Sequence, residues 1–449
     1  MKKVFILNPL IYGRKKSLMP HRKRQPLSLA IIASLLKTDF TVEFLDANAL
    51  DLDSEQAVKQ INDSQPDFLI LTSTPIDRWE CPNSYIDSVF DLINQVKGPR
   101  IILTGSHGTA TPNWIFQNCQ VDFVVLGEPE LTVSELVKVL SAGQDYSKIF
   151  GLAYKDSNGQ IKISGPADLI KDLDALPMPA YELLPMAKYR YTFPDLEQPF
   201  SIMMTSLGCP FGCVYCLKIM AAGGYISRTP QNVISEIEYL IKNFGIKSIF
   251  FQDWEFMIDQ SRVEQLCKLI IEKGLKFNWG CNGRAPDIKD DLVKLMKQAG
   301  CVRINMGFES GSQKILNNIK KNITLEQLAW AIKVLKENQL NFSLYTLLGL
   351  PGETRASIKE TVSFLAQNRV QPSMVSLVIP YFGTELFLQV KNRAGLSWSN
   401  IEKLAGRVNS SLSPFWARFW FNYYKYKFNY GSLFFLKPKF WQVALKRFF

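Results

Sequence analysis

Thr205-Ser206-Leu207-Gly208-Cys209-Pro210-Phe211-Gly212-Cys213-Val214-Tyr215-Cys216 is the stretch that decides how this chain reads. Its cysteines follow C-x3-C-x2-C, and no fourth cysteine lies nearby. Thiolates are soft ligands suited to iron–sulfur clusters or zinc. A structural zinc site usually has four protein ligands. Three cysteines around a four-iron cluster leave one iron open, and an open iron can bind a substrate. The spacing lets one loop wrap the three thiolates around such a cluster. Gly208 and Gly212 permit tight turns and close backbone approach, and Pro210 stiffens the path. A zinc site completed by a distant residue, or structural cysteines that ligate nothing, are the competing readings.

Around this loop, residues 201–385 alternate strand-like and helix-like segments. The strands read S-I-M-M-T (201–205), K-S-I-F-F (247–251), F-N-W-G (277–280), R-I-N-M-G (303–307), F-S-L-Y-T (342–346) and M-V-S-L-V (374–378). Helical patterns such as N-V-I-S-E-I-E-Y-L-I (232–241) separate them. Six such units predict a parallel βα barrel or an open part of one, with its chemistry on the loops after the strands. The cysteines follow the first strand of the set.

Towards the N-terminus the same alternation appears over 1–145. The strands are V-F-I-L (4–7), T-V-E-F-L (41–45), F-L-I-L-T (68–72), R-I-I-L-T (100–104) and D-F-V-V-L (122–126). This predicts an α/β, Rossmann-like, doubly wound domain that binds ligands beyond the carboxyl ends of its strands. Residues 146–200 hold Pro166, Pro177, Pro179, Pro185, Pro194 and Pro199 and read as an irregular connector. The barrel is expected over 201–390 and a helical extension over 391–449.

The net charge of +11 is uneven. Residues 401–449 carry nine Lys or Arg against Glu402 alone, so the first 400 residues are near balance and a nucleic-acid partner is not expected. The segment 414–430 interleaves aromatics with Lys and Arg. Its readings are a helical lid on the barrel opening, a basic amphipathic contact with anionic membrane, or, more weakly, stacking on nucleic acid. The loop charges Arg14-Lys15-Lys16 and Arg22-Lys23-Arg24 read as solvated, or as meeting the phosphate of a cobalamin tail. No apolar run reaches 18 residues, so no transmembrane helix is expected. The start M-K-K-V-F-I-L-N-P-L fits a first strand better than a signal peptide. Eight cysteines in 449 residues do not make a disulfide scaffold, and a thiolate cluster calls for a reducing compartment, taken as the cytoplasm. A membrane-peripheral variant of that location follows if the tail touches lipid.

The motifs taken together resemble the radical SAM superfamily. After C-x3-C-x2-C come F-F-Q-D-W-E-F (250–256), N-W-G-C-N-G-R (278–284), G-F-E-S-G-S (307–312), L-L-G-L-P-G-E-T (347–354) and P-Y-F-G-T (380–384). Phe382 stands where the family has a second proline. The resemblance implies a four-iron–four-sulfur (4Fe-4S) cluster on Cys209, Cys213 and Cys216. It also implies S-adenosylmethionine (SAM) held by Asp253, Glu255, Arg284, Glu309, Ser310, Gly349 and Gly352. Arg284 can donate to a carboxylate, and Glu309 can accept from ribose hydroxyls or an amine. The two glycines would let backbone approach the adenine.

G-S-H-G-T-A-T-P (105–112) and V-V-L-G-E-P-E-L-T (124–132) resemble the cobalamin (B12)-binding domains attached to such enzymes, with Thr104 in place of a glycine. The implied cobalamin contacts are Thr72, Ser73, Thr104, Gly105, Ser106, His107, Gly127 and Glu128. Neither histidine, His21 or His107, sits in D-x-H-x-x-G, so no histidine below the cobalt is expected, with His21 the exception to watch. His107 otherwise reads as a local hydrogen bond in a turn. Glu128 and Glu130 have a structural alternative, preceding a capping box at T-V-S-E (132–135). Cys267 and Cys301 read as buried small hydrophobes. Only Cys81 and Cys119 remain in the N-terminal domain, too few for a second cluster.

The resemblance implies a cobalamin-dependent radical SAM enzyme. The first expectation is a methyltransferase acting on an unactivated carbon through a 5′-deoxyadenosyl radical and methylcobalamin. The alternative is a ring-forming cyclase of the anaerobic Mg-protoporphyrin monomethyl ester type. A non-catalytic cobalamin and cluster sensor is the reading from another class. The implied partners are a small-molecule substrate, apolar or lipid-like given the aromatic tail, and an electron donor such as flavodoxin or ferredoxin.

Overall fold

The computed structural model describes residues 1–10, 23–74, 86–190, 193–221, 223–392, 395–408 and 410–430. His21, Cys81, Arg14-Lys15-Lys16, Arg22 and the final nineteen residues of the tail therefore lie outside the described residues. Contacts group the chain into two compact units. One is Met1–Pro210, Leu217–Phe256 and Ser261–Gly280, and the other is Phe211–Cys216, Met257–Gln260 and Cys281–Phe449. The division runs through the cysteine loop and a barrel strand. The boundaries expected at 145, 200 and 390 follow motif and composition, which do not track contact density.

The first sheet contains β1 (Lys3–Asn8), β2 (Thr41–Asp46), β3 (Phe68–Thr72), β4 (Arg100–Thr104), β5 (Phe123–Val125), β6 (Leu152–Lys155) and β7 (Ile161–Ile163). Their order is β2-β1-β3-β4-β5-β6-β7. The first five pair in parallel, and β6 and β7 add antiparallel. This is the doubly wound order whose ligand crevice opens at the β1/β3 switch point. The apolar strands need cover on both faces. On one face Val4, Ile6, Ile70, Ile102 and Val125 receive it from Leu29, Ile32 and Leu36 of helix Leu27–Leu36 and Val133, Leu136 and Leu140 of helix Pro129–Ser141. The hairpin β6–β7 corrects the reading of 146–200 as wholly irregular, because Asp156-Ser157-Asn158-Gly159 forms a turn in which the Asp156 carboxylate accepts from the Asn158 and Gln160 amides.

The second sheet begins with β8 (Phe200–Met203). A small antiparallel pair, β9 (Ser206–Leu207) and β10 (Ile226–Ser227), brackets the cysteine loop in sequence. The sheet continues with β11 (Ser248–Phe251), β12 (Asn278–Gly283), β13 (Cys301–Glu309), β14 (Asn341–Leu348) and β15 (Met374–Leu377). Its order is β15-β14-β13-β12-β11-β8, an open sheet of six strands. The pairings β8–β11, β13–β14 and β14–β15 are parallel. Of the two alternatives read from sequence, a barrel or an open part of one, the open form is found.

Within the second unit, helix Pro414–Tyr430 lies on helix Arg355–Gln367. It buries Ala417, Phe421 and Tyr424, which share one helical face. The Arg355 guanidinium stacks 3.5 Å from the Trp420 ring centre and its Nε donates to the Tyr424 hydroxyl at 3.0 Å.

Candidate active site

The entry to the cysteine loop is set by Asp253. Its fully buried carboxylate accepts from the Thr205 amide at 2.7 Å, the Ser206 amide at 3.1 Å and the Thr205 hydroxyl. Arg262 stands 4.0 Å away and donates to the Thr205 hydroxyl at 3.1 Å. These contacts account for Asp253 as the post that holds the chain leaving β8, a use the sequence reading did not foresee. Glu255, two residues on, is partly exposed. Gly208 has φ +83°, and a Cβ there would sit 1.5 Å from the Gly224 carbonyl oxygen. Only glycine fits. Gly212 differs: nothing lies within 4 Å of a Cβ there, so its small size is not demanded by neighbouring chain.

The other half of the loop is stitched within the second unit. The Val214 amide donates to the Ile319 carbonyl at 3.2 Å, and its carbonyl accepts from the Leu386 amide at 2.8 Å. The Tyr215 hydroxyl donates to Glu309 at 2.8 Å. Burial, and then the Glu309 carboxylate, hold that hydroxyl well above the usual phenol range, so it keeps its proton and remains a donor. Lys321 pairs with the same carboxylate at 3.0 Å, and both side chains are more than nine-tenths buried. Glu309 sits at a bulge with φ +57°, a strained conformation for a non-glycine residue. The triad Tyr215–Glu309–Lys321 thus ties the cysteine segment to the end of β13. Sequence alone flagged Glu309 but not Lys321, whose connecting turn carries no motif.

Arg284, just past β12, lies with its guanidinium 3.3 Å from the Phe211 ring centre. Its Nη2 donates to the carbonyls of Lys321 and Asn322. Its Nε and Nη1 are buried with no acceptor. A buried charged donor without a hydrogen-bond partner is costly; the Asp287 carboxylate acts on Arg284 only through its charge, and these two free N–H groups suit an anionic group. Asn305 on β13 is also buried with neither amide atom partnered, a polar position that the strand pattern did not single out.

Ser310 turns inward, its hydroxyl 3.0 Å from that of Thr361 and accepting from the Ser312 amide at 3.2 Å. Gly349 and Gly352 have φ of +76° and +79°. A Cβ on Gly349 would lie 2.1 Å from the Gly406 Cα, and one on Gly352 would lie 2.5 Å from the Asn318 side chain. The close approaches the structure shows are therefore to the protein's own chain. Glu353 accepts from the Gly349 amide at 2.6 Å. Burial pushes its carboxyl up to about 7. The folded protein then holds a proton that the unfolded chain loses above its ordinary value near 4.5. Stability is fully present below that value and falls as pH rises towards 7, by roughly 3 kcal/mol for this group alone. Glu353→Gln should flatten that part of the stability profile, read from thermal midpoints of wild type and variant across pH 4.5–7.5.

In the N-terminal unit the candidate residues gather at the carboxyl ends of β3 and β4. Thr72 accepts from the Thr74 amide at 3.1 Å, Thr104 donates to the Leu71 carbonyl at 3.3 Å, and the Ser73 amide donates to the Thr104 carbonyl at 2.9 Å. Gly105 has φ +110°, and a Cβ there would meet the Ser73 hydroxyl at 2.5 Å. His107 lies in a short helix, buried, with Nδ1 3.0 Å from that same hydroxyl. Its bond crosses to the neighbouring strand end, which corrects the expected local turn contact. Gly127 donates its amide to the Thr109 hydroxyl at 3.0 Å. The helix after β5 starts at Pro129, with Glu128 at its N-cap and no side-chain cap. The capping box expected at 132–135 is therefore interior to the helix, because Pro129 opens it three residues sooner. Glu128 instead accepts from the Ile170 amide at 2.8 Å. Ser106 Oγ, at the start of the short helix that carries His107, and Asn8 Oδ1, at the end of β1, are buried without partners. Such orphaned atoms beside a glycine-lined ledge suit a polar-edged ligand.

The three loop cysteines are partly exposed and in no disulfide, while Cys119, Cys267, Cys281 and Cys301 are buried. Burial raises the Cys119 thiol to about 12, leaving it inert. Among the described residues no three His, Cys, Asp or Glu side chains converge as on a single metal ion.

Two family models match the chain: the radical SAM superfamily over residues 203–365 and the B12 binding domain over residues 23–137. An uncharacterised methyltransferase of Pyrococcus horikoshii, PH0819, is 33% identical over 364 residues, spanning 81% of this chain and 77% of that protein. The anaerobic magnesium-protoporphyrin IX monomethyl ester cyclase of Rubrivivax gelatinosus is 27% identical over 380 residues, spanning 82% of this chain and 66% of that protein. The radical SAM methyltransferase TsrM of Kitasatospora setae, solved with cobalamin and a 4Fe-4S cluster, superposes with a TM-score of 0.68 at 18% identity, covering 87% of this chain and 75% of that one. That last likeness is one of fold. Together with the three-cysteine loop and the β2-β1-β3-β4-β5 core, they establish that this chain belongs to the radical SAM family whose members carry a B12-binding domain.

Proposed function

We propose that the protein is a cobalamin-dependent radical SAM methyltransferase acting on an unactivated carbon of a small molecule. The observation that carries this is the joining, in one chain, of a B12-binding domain to a barrel with a three-cysteine loop, supported by 33% identity to a methyltransferase. When bound, the cluster supplies the electron that cleaves SAM, and cobalamin carries the methyl group. The protein binds, orients and excludes water. Cys209, Cys213 and Cys216 hold the cluster. Arg284 offers its unpartnered Nε and Nη1 to the SAM carboxylate. Glu309, fixed by Tyr215 and Lys321, faces the ribose or amine. Asn8 and Ser106 join Gly105 and Gly127 as contacts for cobalamin. Small low-potential proteins such as flavodoxin or ferredoxin fit as the electron source. The reducing state that three cluster thiolates require favours a cytoplasmic site.

The cyclase relative keeps a second reading in view. Anaerobically reconstituted protein, supplied with SAM, reductant and an apolar extract of its host cells, separates them. Methyl transfer should release S-adenosylhomocysteine and 5′-deoxyadenosine together, with a product heavier by one methylene. Release of 5′-deoxyadenosine alone favours ring formation. Release of neither sinks the enzyme reading and leaves a sensor.

A further inference from the structure

We infer that the outer face of helix Pro414–Tyr430 docks on an anionic lipid surface. The helix spends one face on its neighbour, through Ala417, Phe421 and Tyr424. The opposite face carries Phe415, Trp416 and Phe419, with Phe415 50% and Trp416 48% exposed. Each leaves roughly 100 Å² of ring in water. Adjacent rings extend the ridge: Phe415–Phe419 centroids are 6.5 Å apart and Phe419–Tyr423 centroids 6.3 Å. A contiguous aromatic surface of this kind on a soluble protein marks a docking site. Charge selects the occupant. Arg418 and Lys427 are exposed beside the ridge, and from Pro414 to Phe449 the chain has seven Lys or Arg and no Asp or Glu. Aromatic rings flanked by cations match the headgroup region of an anionic bilayer. Among the described residues no helix is long and apolar enough to cross a membrane, so the contact is one of lying on the surface. The inference is independent of the reaction proposed above.

Full-length protein should sediment with vesicles of phosphatidylcholine and phosphatidylglycerol in equal parts, and poorly with phosphatidylcholine alone. Added salt should weaken binding. Arg418→Glu with Lys427→Glu should cut vesicle affinity roughly tenfold or more. Phe415→Ser with Trp416→Ser should lower it comparably while leaving iron binding and the thermal midpoint near wild type, because both rings are half exposed. Failure of wild type to bind anionic vesicles overturns the inference. So does undiminished binding by both variants. If light scattering finds instead that the ring variants dissolve a dimer while vesicle binding is unchanged, a second copy is the occupant and the lipid assignment falls.

Discussion

Gly208→Ala is expected to abolish the cysteine loop. The added methyl would stand 1.5 Å from the Gly224 carbonyl oxygen, inside bonding distance, on a residue whose φ is +83°. Neither atom belongs to a flexible side-chain tip, so the backbone of one strand end must move. Overlap of this kind together with the left-handed strain puts the cost at about 4 kcal/mol or more. The damage is local to the residue that precedes Cys209. Protein reconstituted anaerobically with iron and sulfide should then hold only a small fraction of wild-type iron. Gly212→Ala is the matched control. A Cβ there meets nothing within 4 Å, and iron binding should stay near wild type. Equal iron in both variants would mean that the turn at Gly208 does not set the loop.

Lys321→Met carries the second large effect. It removes the cation from a pair whose two side chains are only 8% and 7% exposed. Removing one partner strands the other charge in the interior, at a cost of about 3 kcal/mol. The thermal midpoint should fall by several degrees. The double variant Lys321→Met with Glu309→Gln should recover part of that loss, because the stranded charge is gone. SAM affinity, measured by equilibrium dialysis, should be low in the double variant, which lacks the Glu309 carboxylate, and lowered in Lys321→Met, where that carboxylate loses the cation that fixes it. A midpoint unmoved by Lys321→Met would show that the pair is screened by water.

Both variants address positions that sequence reading treated unevenly. The cysteine spacing and the motif order made the barrel and its cofactor class legible, because strand-end chemistry recurs with local signatures. Gly208 and Gly212 read alike in sequence, and only the fold separates them: a Cβ at Gly208 meets the Gly224 carbonyl, one at Gly212 meets nothing. Lys321 was not legible, because it reaches Glu309 across twelve residues and a helix. Asp253 and Gly349 show the converse. Their types and positions pointed to SAM, and the fold adds contacts with Thr205, Ser206 and Gly406 that no motif announced. A motif records which residue is needed, but the partner it serves emerges only once distant segments are folded against it. The hairpin after β5 was missed for a related reason: its strands are short and half exposed, with little periodic signal.

The meeting of Gly349 and Gly406 has a consequence for inheritance. A Cβ at position 349 would lie 2.1 Å from the Gly406 Cα, and one at 406 would meet Leu377 at 2.8 Å. The barrel turn and the extension beyond it are therefore fitted like a key and its ward. Neither can drift in sequence alone. A side chain at the first glycine would force the chain after the last strand to move away at Gly406.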